Sequence, residues 1–158
     1  MVFVRAALSH AAILSLTSVH HWYGAVRFDT LWRGHVVHVA VWIGLAVGLL
    51  LATAWLTRGR RLERRVTLVL VILSVLACVV WLGLYEGGYN HLLKNVLHVG
   101  GLSPEAFRWA FPLPTYGPPE DWIFELTGVA QLPLGLLAGW AAISLWRHTP
   151  AGRTLEAE

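Results

Sequence analysis

Four apolar runs, each long enough to cross a bilayer, constrain this chain more than anything else in its sequence. The hydrocarbon core is about 30 Å thick, and a helix rising 1.5 Å per residue needs roughly 20 apolar residues to span it. The runs cover about residues 4–19, 36–56, 66–84 and 122–146. Only 13% of the 158 residues are charged, about half the share usual in a soluble domain. An ordinary soluble globule and a disordered chain are both excluded. The expected fold is all-α: a polytopic membrane protein with four transmembrane helices in one bundle domain over residues 1–158.

The first run is the most polar, holding Ser9, His10, Ser15 and Thr17. A cleaved signal peptide with Arg5 at its positive end is the rival reading there, and the run is counted here as a helix. Orientation follows from lysine and arginine. Five arginines lie between Arg58 and Arg65, and Arg5, Arg147 and Arg153 fall on the same side. The other side has only Arg27, Arg33, Lys94 and Arg108 on longer connections. The positive-inside rule puts both termini and the arginine loop in the cytoplasm, in the style of a bacterial inner membrane protein. The arginine run serves as a topology anchor, so no nucleic-acid partner is expected and the lipid bilayer is the first one.

The long connection from Tyr85 to Asp121 is expected to form an outer cap. Between Tyr89 and Val99, Leu92, Leu93, Val96, Leu97 and Val99 take one side of a helix of 3.6-residue period, with His91, Lys94, Asn95 and His98 on the other. That pattern predicts a short helix in the interface plane, ended by Gly100-Gly101. Ser103-Pro104 predicts a capped second helix through Phe111, and Pro112, Pro114, Pro118 and Pro119 a stiff return.

This topology turns composition into a site. Of eight histidines, His20, His21, His35, His38, His91 and His98 map to the outer level, with Glu86 and Glu125. His10, Thr17 and His21 share one face of the first helix. Glu125, Gly128, Leu132, Gly135, Gly139 and Ala142 make a small-residue stripe on the fourth, suited to close packing. A carboxylate on that packed side costs several kcal/mol without a partner. The candidate metal ligands are His21, His35, His38, Glu86, His91, His98 and Glu125, with copper or zinc preferred and iron open. His20, off the inward stripe, is assigned to an interfacial belt.

Two other readings stand beside this one. The same residues suit aromatic and histidine belts with no ion. Alternatively, His21 with His35 or His38 could ligate haem b, or one of them a chlorophyll. The leading function is thus an outward-facing His/Glu metalloprotein, an oxidoreductase if it is an enzyme. The alternative is a small accessory subunit of a larger respiratory, photosynthetic or oxygenase complex. There is no nucleophile elbow, phosphate loop or metalloprotease motif, and the single cysteine, Cys78, says nothing of redox compartment.

Overall fold

The computed structural model describes residues 1–112, 117 and 119–150. Pro114, Pro118 and Arg153, which entered the expectations above, lie outside that set. The described residues form helices and turns, with no strand among them. Helix α1 covers Val2–Arg27 and α2 His35–Leu56, joined through a 3₁₀ turn at Leu31–Gly34. Helix α3 is one continuous rod from Arg61 to Val99. Helix α4 covers Pro104–Ala110 and α5 Trp122–Arg147. Four of these, α1, α2 with its preceding turn, α3 and α5, are long and apolar enough to cross a membrane.

Their surface agrees with that environment. Val4, Leu8, Val19, Trp42, Leu45, Leu49, Leu76 and Leu126 are large apolar side chains facing outward. A soluble monomer rarely exposes such a continuous apolar surface, whereas lipid tails meet it at no cost. The interior is built from small and mid-sized side chains. One cluster joins Ile13, Leu14, Ala40, Ala77, Cys78, Leu82 and Ala138. A second joins Ala6, Val47, Leu70, Ala141, Ala142 and Leu145 nearer the arginine loop. Buried polar groups beside these clusters bond to one another: His10 bonds the Ser74 hydroxyl at 2.7 Å, and the Thr17 hydroxyl donates to Gln131 Oε1 at 2.7 Å.

Helix α3 departs most from expectation. The interface-plane helix predicted over Tyr89–Val99 is instead a continuation of the third span, without a break at Gly87-Gly88. The reason is a change of winding. From Ser74 to Leu93 the backbone bonds run five residues back, a π-helix, before α-turns resume at Lys94–Val99. The buried positions follow the wider turn: Ser74, Cys78, Leu82, Glu86 and Asn90 recur every four residues, accompanied by Ala77, Gly83, Gly87 and His91. A 3.6-residue template cannot hold those positions on one face.

The wide segment packs most extensively on α5, and the small-residue stripe of α5 is what lets it approach. A Cβ on Gly135 would collide with the Cys78 carbonyl oxygen, and one on Gly139 with the Val79 side chain. A Cβ on Gly87 would lie 2.5 Å from the Leu132 backbone nitrogen. At Gly87 and Gly135 the backbones touch with no side chain between them, as small-residue stripes in membranes permit. Helix α4 starts as predicted, with Ser103 capping the Ala106 N–H at 3.3 Å and proline in its first turn. Phe107 and Phe111 turn it back onto α3, against His98 and Tyr89 with ring centroids 5.6 and 5.1 Å apart.

Candidate metal centre

At the end of the helices remote from the arginine loop, α1, α3 and α5 bring ionisable groups together out of solvent. Helix α1 contributes His20 and His21, α3 contributes Glu86, Asn90, His91 and Lys94, and α5 contributes Glu125 and Thr127. His20 is fully buried and His91 only 2% exposed. Gly128 makes the room: a Cβ there would overlap the His91 ring. Gly24 likewise leaves space for the Phe124 ring, which stacks on His20 with centroids 4.2 Å apart.

The hydrogen bonds decide which ring nitrogens are free. His91 Nδ1 lies 2.8 Å from Glu125 Oε2, and Lys94 Nζ donates to Glu125 Oε1 at 2.7 Å. A carboxylate only accepts, so the His91 proton sits on Nδ1. His20 Nδ1 lies 3.0 Å from the Thr127 hydroxyl, which gives its own proton to the Ile123 carbonyl at 2.7 Å. His20 therefore also donates from Nδ1. In the neutral rings, both Nε2 lone pairs are left pointing inward.

They point at Glu86. Its Oε2 accepts from the Asn90 amide at 2.7 Å. Its Oε1 faces His20 Nε2 at 3.7 Å, His21 Nε2 at 3.6 Å and His91 Nε2 at 3.6 Å. These separations are too long for hydrogen bonds, which end near 3.2 Å. They are close to the spacing of ligands on one ion: at about 2.0–2.1 Å from a tetrahedral metal, two donors stand roughly 3.4 Å apart. His20, Glu86 and His91 together could hold a metal ion, and His21 Nε2 lies beside Glu86 Oε1 at 3.6 Å. The Glu125–His91 and Thr127–His20 bonds are of the kind that orient imidazoles in metal sites.

Of the seven expected ligands, the structure brings His21, Glu86 and His91 together and sets Glu125 behind His91. His35 is exposed, with its Nδ1 bonded to the Trp32 carbonyl. His38 is exposed on α2, and His98 is exposed near the end of α3. None of these three joins the cluster. His20, assigned from sequence to an interfacial belt, is instead its most buried member. The signal was present in α1: Ile13, Thr17, His20 and Gly24 follow the 3.6-residue period and all are buried.

Beside the cluster lies a cavity of about 430 Å³. His21, Glu86 and His91 form one wall, and Arg33, Trp81 and Tyr85 belong to the others. At the start of α5, Asp121 links that helix to α1: it caps the Phe124 N–H at 3.0 Å and accepts from Tyr23 at 3.0 Å and Arg27 at 2.9 Å. The Phe124 N–H, with Tyr23 and Arg27, holds the Asp121 carboxyl below its ordinary pKa. No protein-family model matches the chain, and no characterised protein or solved structure is significantly similar to it.

Proposed function

We propose that this protein is an integral membrane metalloprotein in which His20, His21 and His91, through Nε2, and Glu86, through Oε1, hold one transition-metal ion. The observation that carries the reading is the convergence of three Nε2 atoms on Glu86 Oε1 at 3.6–3.7 Å. With the rings neutral and no ion bound, the His20 and His91 lone pairs would face a buried carboxylate oxygen. Three imidazoles and one carboxylate favour zinc or copper. Haem b ligated by His21 with His35 or His38 is disfavoured because His35 and His38 are exposed and stand outside the cluster that holds His21.

In this proposal the four long helices form a bundle, the termini and arginine loop are cytoplasmic, and the metal centre faces outward beneath α4 and the end of α3. Elemental analysis of the detergent-purified protein tests it. The wild-type chain should carry one equivalent of zinc or copper, with Glu86→Gln and His91→Ala each losing it. The double substitution of His35→Ala with His38→Ala should retain it. A folded, metal-free wild-type protein that takes up neither ion would overturn the reading and favour an accessory subunit of a larger complex.

A further inference from the structure

At the start of α3, two cations of the arginine loop stand directly above a lipid-facing surface. The helix is α-wound from Arg61 to Leu73. At 100° per residue, Arg61, Arg65, Leu68 and Ile72 fall within about 60° of one another, and all four are exposed. The face is therefore a strip of two guanidiniums followed by two apolar side chains that meet lipid tails. The third apolar run begins at about residue 66, so the change from charge to hydrocarbon falls at headgroup level. Tryptophan favours that level, and Trp55 and Trp146 sit beside the loop, with Arg58 and Arg64 over their rings at 3.6 and 4.9 Å.

Among the described residues no carboxylate pairs with Arg61 or Arg65; the ion pairs of Arg27 and Lys94 lie at the other end of the helices. Glu63, the one acid between Arg58 and Arg65, is buried and accepts the Gly59 N–H at 2.7 Å. Like charges four residues apart oppose a helix, and cations near its N-terminus oppose its dipole. An anion between Arg61 and Arg65 relieves both conflicts. The guanidinium fork suits a phosphate, giving two N–H groups to two oxygens. An anionic phospholipid supplies that phosphate together with a chain that continues over Leu68 and Ile72. Free phosphate supplies only the first, and a choline headgroup brings a cation back against the arginines.

We infer that the Arg61/Arg65 face of α3 binds an anionic phospholipid, its phosphate held between the two guanidiniums and an acyl chain lying along Leu68 and Ile72. This lipid site is separate from the metal centre and does not depend on an ion being bound there.

The test uses the full chain with Cys78→Ala and Val69→Cys, the latter position being exposed beside the strip, and a fluorophore on the introduced thiol. The protein is placed in phosphatidylcholine nanodiscs containing a small fraction of chain-spin-labelled phosphatidylglycerol or phosphatidylcholine. Labelled phosphatidylglycerol should quench at ~5-fold lower mole fraction than labelled phosphatidylcholine, about the worth of one arginine beside anionic lipid. That preference should shrink in ~1 M salt, where charges are screened within a few ångströms. Arg61→Gln with Arg65→Gln should make the two lipids equivalent. Arg58→Gln with Arg60→Gln, which removes as much charge away from the strip, should keep most of the preference. A nanodisc is open on both faces, so inverted insertion of a variant cannot mimic the loss. Equal quenching by the two lipids, or a preference unmoved by salt, overturns the inference. An equal loss in both double variants means diffuse attraction to the whole loop and overturns the assigned face.

Discussion

Glu86 Oε1 has three imidazole nitrogens around it, yet two of those nitrogens are aimed by residues that never reach the centre. Glu125 holds His91 by its Nδ1 proton, and Thr127 holds His20 in the same way. Such partners commonly contribute 10- to 100-fold to metal affinity. Glu125→Gln should therefore lower affinity by about that factor without abolishing binding, read by competition with a chelator. Gly128→Ala, whose Cβ overlaps the His91 ring, should weaken binding further and destabilise the fold by about 1–3 kcal/mol. At this scale the sequence was half legible. Carboxylates on packed helices pointed to a buried polar cluster, and the structure places His21, Glu86, His91 and Glu125 in one. His35, His38 and His98 share a depth with them but not a facing surface, and depth was all that the span boundaries could convey. His20 was set aside because one stripe of α1 was drawn through His21 alone, whereas Glu86 is approached by both neighbours.

Among the elements, α1, α2 and α5 could be read from hydropathy to within a few residues except at the far end of α1, which runs on to Arg27. Helix α3 could not, because its winding is set by what it packs against. In an α-helix Glu86 and His91 would lie about 140° apart, from 100° per residue. Bonding five residues back brings them onto one side. Single π-turns recur at functional sites, and here the looser winding assembles two members of the cluster. The cost is a broad backbone that only a glycine-bearing partner can approach. Gly87→Ala, with its Cβ 2.5 Å from Leu132 N, should lower thermal stability by about 1–3 kcal/mol, with Gly34→Ala, in open space, as the mild control. The start of α5 carries its own signature. Since the Asp121 carboxyl titrates below its ordinary value, its contribution is complete above about pH 3.9 and is lost as pH falls through the lowered folded value. Asp121→Asn should remove that portion of the acid-side fall in melting temperature and leave the slope near neutrality unchanged.

For the whole molecule, the arginine loop and the polar cluster occupy opposite ends of the helices, so one orientation decides where the metal would come from. The proposed orientation predicts that, in a Cys78→Ala background, Glu105→Cys reacts with a membrane-impermeant maleimide in intact cells and Leu62→Cys only after lysis; both positions are exposed. The reverse labelling would turn the centre toward the cytoplasm. Either way, the centre depends on counting residues along a helix as much as on which residues are there. Losing one codon between Ser74 and Glu86 would keep the reading frame, every ligand and all four apolar runs. Yet Glu86 and His91 would be shifted by one position against Gly128 and Leu132, and the gene would encode a membrane protein with all its candidate ligands and no place for them to meet.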